Sequence, residues 1–219
     1  MAQIFSEWTN KVPLYIVLAL ALVAPAAALG VWYFFSPEYT DVGYQPEQPI
    51  AYSHELHVGQ LGLDCRYCHV NVERAAVASV PPTSVCMNCH RLVGRDLATL
   101  ELLRQSSETK QPIRWVRIHK VPEYAYFDHS IHVRAGVGCS TCHGDVAQMV
   151  EVRQVEPLSM GWCLECHRNP APYIRPQDQI TNTSWRPPED QLEVAQALLA
   201  ERGIEMTTGT RSDCSTCHR

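Results

Sequence analysis

The longest apolar stretch of the chain lies near its N-terminus. Residues 14–35 contain no charged side chain, and this run of 22 residues is long enough to cross a bilayer as a helix. Trp8 and Trp32 lie towards its two ends, where membrane helices concentrate aromatic side chains. The pattern predicts a single transmembrane anchor within residues 1–36.

The alternative interpretation of this stretch is a cleavable signal peptide. The small residues Ala26, Ala27 and Ala28 resemble a cleavage site. The apolar run continues for several residues beyond them, which favours an uncleaved helix. We therefore expect the anchor to be retained.

The charges that flank the apolar run predict its orientation. Lys11 precedes the run, whereas residues 36–65 contain five acidic residues and no Lys or Arg. Because basic residues concentrate on the cytoplasmic side of membrane helices, we expect a cytoplasmic N-terminus at the cell (inner) membrane and an extracytoplasmic remainder. Three prolines mark residues 37–51 as an extended linker that leaves the membrane.

Two further stretches have the apolar spacing of amphipathic helices. Residues 92–106 repeat leucines at this spacing. A second helix is predicted between Pro187 and Gly203, where the proline starts the helix and the glycine stops it. Its apolar stripe consists of Leu192, Ala195, Leu198 and Leu199. We expect both helices to serve packing.

Composition narrows the functional classes. The chain has 18 Lys and Arg against 23 Asp and Glu, which gives a formal net charge of −5. This balance lacks the basic excess that is typical of nucleic-acid binding, so we expect no nucleic-acid partner.

All ten cysteines lie in one repeated pattern, C-x-x-C-H, at residues 65–69, 86–90, 139–143, 163–167 and 214–218. This pattern attaches c-type haem: the two thiols add to the porphyrin vinyl groups, and the His lies under the iron as proximal ligand. Paired C-x-x-C also occurs in zinc sites, where four ligands share one metal. Because a His follows every pair and no Cys is left over, we interpret the pattern as five covalently attached haem c groups.

The residues assigned to the haems follow from the motifs. The attaching thiols are Cys65, Cys68, Cys86, Cys89, Cys139, Cys142, Cys163, Cys166, Cys214 and Cys217. The proximal ligands are His69, His90, His143, His167 and His218.

Five haems also predict the fold class. About 180 residues are too few to surround five haems and build a large conventional core, so the haem faces must supply much of the buried apolar surface. We expect a mostly α fold with much irregular structure, in which one N-terminal transmembrane helix precedes a multihaem cytochrome c domain of short helices and loops wrapped around five haems. Haem is attached to such proteins outside the cytoplasm, in agreement with the predicted orientation.

The C-terminal part contains an internal repeat. An H-x-x-H pair precedes two haem motifs twice, first at His54 and His57 and again at His129 and His132. The predicted organisation is a first dihaem module with a connecting helix at residues 52–118, a second dihaem module at 119–170, and a C-terminal helix with the fifth haem at 171–219.

Five further histidines are available as sixth ligands of the irons, namely His54, His57, His119, His129 and His132. The paired ones are spaced i, i+3, so two rings on one helical face reach two different irons. The alternative sixth ligand is a thioether, and Met149, Met160 and Met206 lie near haem motifs. A Met ligand in place of His would raise the reduction potential of its haem.

The combination of H-x-x-H with C-x-x-C-H resembles the class III multihaem cytochromes c. The fuller pattern resembles the pentahaem cytochrome c subunit of alternative complex III, a bacterial quinol-oxidising respiratory complex. The stretches that carry this resemblance are residues 118–127, the pair His129 and His132, residues 136–139 and residues 158–163. The resemblance implies an electron relay whose partners are the membrane, an iron–sulfur subunit of the molybdopterin-oxidoreductase type, integral membrane quinol-binding subunits, and a monohaem cytochrome c or another acceptor.

We expect an electron-transfer subunit and not an enzyme, because six-coordinate haem has no iron site open to a substrate. One alternative is a stand-alone membrane quinol dehydrogenase of the small multihaem type, although the predicted span holds no acid or His to accept a quinol proton. The other alternative is a multihaem reductase with one open haem. Such haems are sometimes marked by C-x-x-C-K, and the chain has no such motif.

Overall fold

Helices and loops account for the described structure. The computed structural model describes residues 4–204 and 212–218, and the chain divides into two compact units between Asp41 and Val42. Within the described residues there is no β-strand, and two isolated bridges pair Ala125 with His218 and Val137 with Ile174. The predicted mostly helical class is confirmed in this part of the protein.

The N-terminal unit holds the predicted apolar helix. It consists of a 3-10 turn at Glu7–Lys11, helix α1 (Val12–Phe34) and the short helix α2 (Pro37–Thr40). No residue of α1 is buried, and among the described helices it is the one long and apolar enough to cross a membrane. Signal sequences share this length and composition, so α1 is a candidate span.

The second unit is built from short helical pieces joined by loops, and the longest described helix in it has 11 residues. In chain order they are a π-helical turn at Glu55–Gln60, α3 (Cys65–Cys68), α4 (Thr83–His90), a 3-10 turn at Ala98–Leu100, α5 (Glu101–Thr109), α6 (His129–Ala135), α7 (Cys139–His143), a 3-10 turn at Val146–Gln148, α8 (Met160–Arg168), 3-10 turns at Ala171–Tyr173 and Gln177–Gln179, α9 (Gln191–Glu201) and α10 (Cys214–Cys217).

Each haem motif forms a helical turn, and a capping side chain precedes the helices of two motifs. Asp64 accepts a hydrogen bond from the backbone N–H of Arg66 at the start of α3, and Ser159 accepts one from Trp162 at the start of α8. Such caps satisfy N–H groups that have no partner inside the helix. Because the two Cys of each motif are three residues apart, the helical turn places both thiols on one face.

The helix predicted for residues 92–106 begins nine residues later than predicted. Residues 91–96 form turns, a 3-10 turn follows, and α5 begins at Glu101. Gly94 has a φ of +66°, and a Cβ there would lie 3.0 Å from a methyl carbon of Leu97. A left-handed glycine interrupts a helix, and the leucine spacing alone did not reveal this break.

The predicted C-terminal helix is confirmed as α9. Ala195 and Leu199 are fully buried and pack with Ala171 and Ile174 in a small apolar core. Leu192 was predicted to belong to the same stripe, but its side chain is exposed. The first turn of α9 lies at the edge of the core, so only the later part of the stripe is covered.

Ten apolar side chains are buried in the described part of the chain, which is a small core for a unit of this length. The apolar side chains of Val70, Val77, Val80, Leu92 and Val93, close to the first two haem motifs, are exposed. Planar apolar groups such as porphyrin faces fit beside such side chains. The core therefore agrees with a fold that is stabilised largely by its cofactors.

Candidate haem-binding sites

The histidines of three haem motifs are oriented by backbone carbonyl groups. The Nδ1 atoms of His69, His90 and His218 lie 2.7, 2.9 and 3.0 Å from the carbonyl oxygens of Ser79, Val93 and Tyr124. A carbonyl oxygen can only accept, so each Nδ1 carries the proton and each Nε2 keeps its lone pair. This is the arrangement in which a His ligand presents Nε2 to a metal ion.

Three of the five histidines predicted as sixth ligands have the same orientation. The Nδ1 atoms of His57 and His132 lie 2.8 and 2.7 Å from the carbonyl oxygens four residues earlier, at Ser53 and Asp128. The Nδ1 atom of His129 lies 2.8 Å from the carbonyl oxygen of Ala76, in the first predicted module. These rings, too, hold Nε2 available for a metal ion.

Three predicted sixth ligands lie opposite motif histidines at a common distance. The ring centroids are 6.2 Å apart in His57 and His90, 6.0 Å apart in His132 and His167, and 6.4 Å apart in His129 and His143. Two His nitrogens that each bind one ion at about 2 Å are about 4 Å apart, and each ring centre lies about 1 Å further back. The observed separations therefore fit one iron between the two rings of each pair.

His54 lies near the histidine of the first motif. Its pKa is lowered to about 4, mainly because the ring is buried and then because of the neighbouring His69 and His57. Its Nδ1 is a buried nitrogen without a hydrogen-bond partner. His57, the other histidine of the pair, lies near the second motif. His54 is therefore the histidine of this pair that lies near His69 of the first motif.

Burial keeps other histidines of the site neutral. It is the largest cause that lowers the pKa of His119 to about 4 and that of His143 to about 3, and neighbouring histidines lower both further. Burial also lowers the pKa of His132. Neutral imidazole is the form that offers a lone pair to a metal ion.

The ring of His119 lies next to that of His143. Nε2 of His119 is 3.4 Å from Nδ1 of His143, and the two rings meet edge to face with centroids 4.3 Å apart. His119 therefore lies within the predicted site, next to the Nδ1 edge of a motif histidine.

Two of the three methionines considered as ligands are in the described part. Met149 is buried, and its methyl group lies 3.4 Å from the position that a Cβ on Gly144 would take. Met160 begins α8, and 61% of its surface is exposed. Met206 lies outside the described residues.

Thiols of different motifs lie close enough to interact electrostatically, and these proximities place the five motifs in one succession. The interacting thiols are Cys86 with Cys68, Cys65 with Cys139, Cys142 with Cys163 and Cys166, and Cys163 with Cys217. The order in space is second, first, third, fourth and fifth motif. The junction between the two modules thus lies between the first motif of each.

The two modules interlock at this junction through backbone contacts. The N–H of Glu55 donates to the carbonyl oxygen of Met149, 3.0 Å away. A Cβ at Gly59 would overlap the carbonyl of Ala147, so only a glycine allows this close approach. The sequence repeat did not predict how the two predicted modules meet. Gly59 was the one local feature of the sequence that pointed to this close approach.

Arg175 is a residue of the third site that the motif pattern did not reveal. It is 5% exposed, and its guanidinium donates to the hydroxyl oxygens of Ser140 and Thr141, between the two Cys of the motif, at 3.4 Å. Its charge also stacks on the ring of Trp185, 4.5 Å from the centroid. Burial lowers the pKa of this guanidinium.

No group of three or more His, Cys, Asp or Glu side chains within residues 4–204 and 212–218 is arranged to hold one metal ion. A structural zinc site needs four such ligands around one ion. At the second, third and fourth motifs, a pair of thiols occurs instead with two histidine rings 6.0 to 6.4 Å apart, which fits haem c.

Comparison with known proteins agrees with this site. Residues 125–219 match the family described as cytochrome c7 and related cytochrome c, and this segment contains the third, fourth and fifth motifs. The chain is also similar to the multihaem cytochrome c subunit of the menaquinone reductase of Nitratidesulfovibrio vulgaris. The two are 27% identical over 178 residues, which cover 72% of this chain and 80% of the relative.

The motifs, the opposed histidines and these similarities together define a class of protein. The second unit is a multihaem cytochrome c domain that binds haem c covalently. These findings support electron transfer as its function.

Proposed function

We propose that this chain is a membrane-anchored pentahaem cytochrome c that relays electrons within a quinol-oxidising respiratory complex of the alternative complex III type. Its electrons would pass to a downstream cytochrome, a soluble acceptor or a terminal oxidase. The observation that carries the proposal is the unbroken succession of the five motifs, in which each motif has a thiol neighbour in the next.

The chain's residues would set the geometry of this relay. When bound, haem c supplies reversible one-electron chemistry. Each H-x-x-H pair presents two rings from one helical turn to two motifs: His129 faces the third motif and His132 the fourth. The distance between neighbouring haem sites is therefore governed by one short, rigid helix. The carbonyl groups that hold Nδ1 prevent the rings from turning away from the iron.

The proposal assigns quinol chemistry to other subunits. Helix α1 would hold the chain in the cell membrane, with the haem domain on the extracytoplasmic side. It contains no acidic residue and no His that could accept a quinol proton. The partners would be integral membrane quinol-binding subunits, an iron–sulfur subunit of the molybdopterin-oxidoreductase type, and a monohaem cytochrome c or another acceptor.

A second candidate function reverses the direction of electron flow. The relative from Nitratidesulfovibrio vulgaris belongs to a menaquinone reductase, in which electrons reach the quinone. The same succession of haem sites would serve that direction equally well. The direction depends on potentials, which axial ligands, burial and hydrogen bonds set.

The first test is purification from native membranes, with haem counted per chain and reduction followed by visible spectroscopy. We expect five haem c per chain, co-purification with membrane subunits, and reduction of the haems by a menaquinol analogue only within the complex. Reduction of the isolated chain by the quinol alone would instead show a stand-alone quinol dehydrogenase. Conversion of nitrite or hydroxylamine by the isolated chain would show an open-haem reductase.

Potentiometric titration of the complex distinguishes the two directions. Most haem potentials above that of the quinone pool would support quinol oxidation. Most potentials below it, together with reduction of a menaquinone analogue by the pre-reduced complex, would support quinone reduction and contradict the proposed direction.

A further inference from the structure

The histidine of the third motif has two other histidines close to it. His129 lies 6.4 Å away, and the two ring planes are nearly parallel, at 9°. His119 lies 4.3 Å away at an interplanar angle of 78°. The sequence predicts both as sixth ligands, but only one ring can lie opposite His143 on a single iron.

The distances distinguish the two neighbours. Two nitrogens on opposite sides of one ion are about 4 Å apart. Nε2 of His119 is only 3.4 Å from the nearer nitrogen of His143, and that nitrogen is Nδ1. No ion fits between them in that geometry, whereas a long hydrogen bond does. His129 has the separation of a ligand, equal within a few tenths of an ångström to those of the His57 and His132 pairs.

Three other motif histidines show which kind of group accepts a hydrogen bond from Nδ1. In His69, His90 and His218 the same atom donates to a backbone carbonyl oxygen. At His143 the neighbour at this position is the ring nitrogen of His119. An imidazole nitrogen with its lone pair free can accept a hydrogen bond, as a carbonyl oxygen does.

We propose that His119 is a positioning residue of the third haem site: its Nε2 accepts a hydrogen bond from Nδ1–H of His143, and His129 is the ligand opposite. The proposal rests on the proposed pentahaem function, because it requires haem at the third motif. A hydrogen bond from Nδ1–H of a histidine ligand fixes the tautomer and the orientation of its ring and raises the basicity of the ligand.

The assignment has a consequence for the fifth motif. The four paired histidines then serve the first four motifs, with His54 on the first, His57 on the second, His129 on the third and His132 on the fourth. In the described part of the chain, the ring that lies against His218 is that of Tyr124, with centroids 5.9 Å apart. The fifth haem is therefore the one whose sixth ligand is not a histidine.

The wild-type holoprotein provides a test that needs no variant. Low-temperature EPR and near-infrared magnetic circular dichroism of the air-oxidised protein distinguish bis-His, His/Met and high-spin haems. We expect four bis-His haems and one haem of another kind. Five bis-His haems would overturn the proposal, because His119 would then have to be a ligand.

Variants of the two neighbours of His143 give the second test. We expect His119→Leu to keep the wild-type number of low-spin haems and to raise the potential of one haem, because the acceptor of the hydrogen bond is lost. His119→Gln, whose side-chain oxygen still accepts, should return that potential towards the wild-type value. His129→Leu should convert one haem per chain from low-spin to high-spin.

A new high-spin haem in His119→Leu that binds cyanide, with no such haem in His129→Leu, would show that the roles are reversed. Haem content per chain is measured in every variant and separates the two proposals. Fewer than five haems in the wild-type protein would contradict the pentahaem function, whereas five haems with the wrong ligand pattern would contradict only the role of His119.

Discussion

At the scale of single residues, the recurring feature of the haem sites is a hydrogen bond from Nδ1 of a histidine. Six histidines of the described chain donate this proton to a backbone carbonyl oxygen. Their rings are therefore oriented by the fold, and little conformational freedom is lost when iron is bound. Single substitutions should then change one haem without disturbing the others.

His132→Ala tests this independence at the fourth site. We expect about one-fifth of the haem to become high-spin and to bind cyanide, because one of five irons loses the ring opposite His167. The measurement is EPR of the oxidised protein with and without cyanide. The control is Ile131→Ala, a neighbouring residue on α6 that is 62% exposed. An unchanged low-spin spectrum in His132→Ala would show that His132 is not a ligand.

Asp64→Ala tests the cap of the first haem motif. The hydrogen bond from Arg66 is the largest cause that lowers the pKa of Asp64 from 3.8 to about 2. A lowered pKa in the folded state stabilises the protein above pH 3.8, and this stabilisation disappears as the pH falls towards 2. We expect a loss of about 1 kcal/mol in the free energy of unfolding at pH 7, and a smaller loss below pH 3.

The matched control for Asp64 is Asp190→Ala. Asp190 precedes α9 at the same helical position, but its side chain makes no capping hydrogen bond. Urea unfolding of both holoproteins at pH 7 and at pH 3 gives the comparison. Equal losses for the two variants, or a loss in Asp64→Ala that does not depend on pH, would contradict the role of the carboxylate.

At the scale of elements, the end of α6 shows how tightly the helices are joined. Gly136 ends this helix with a φ of +96°. The guanidinium of Arg202 donates to the carbonyl oxygen of Ala135, 2.9 Å away, and a Cβ on Gly136 would overlap it. Because α6 carries His129 and His132, this junction also holds the predicted ligands of two sites.

Two glycine substitutions separate backbone strain from crowding. Gly203 also has a positive φ, +66°, but a Cβ there would meet nothing within 4 Å. We expect Gly203→Ala to cost about 1 kcal/mol of unfolding free energy from strain alone. Gly136→Ala should cost about 3 kcal/mol, since displacement of the arginine is added to the strain. Chemical denaturation of both holoproteins measures the two losses of unfolding free energy. Equal losses would show that Arg202 moves aside without any cost in free energy.

At the scale of the whole molecule, the chain folds back so that the motifs do not follow one another in sequence order. The Cys65 and Cys139 thiols are neighbours, although 74 residues separate them. The succession therefore ends at the second motif and the fifth. We expect donor and acceptor to approach these two ends.

Removal of residues 1–36 tests the anchor. We expect the full-length chain to stay with membranes in alkaline carbonate and the shortened chain, exported with an unrelated cleavable signal, to be soluble with the same visible spectrum and haem content. The reason is that α1 is the described helix able to span a bilayer. Mass spectrometry of the purified full-length protein provides the control, and loss of residues 1–28 from it would show a cleaved signal peptide.

Local patterns in the sequence determined much of this protein. The C-x-x-C-H motif places two thiols and a histidine within one helical turn, so it identifies haem attachment without any knowledge of distant contacts. The uncharged run predicted α1, and the apolar stripe before Gly203 predicted α9. In both cases the interactions that decide the structure lie within a few turns of helix.

Only the tertiary structure decided which residues meet across the chain. The burial of Arg175 beside the third motif and the order of the five motifs both depend on contacts between distant segments. The same holds for the lone His119 and the paired His129, both of which the sequence predicts as sixth ligands. The fold places the His119 ring beside Nδ1 of His143 and the His129 ring 6.4 Å from that of His143, because packing of separate loops and helices sets these positions and residue spacing does not.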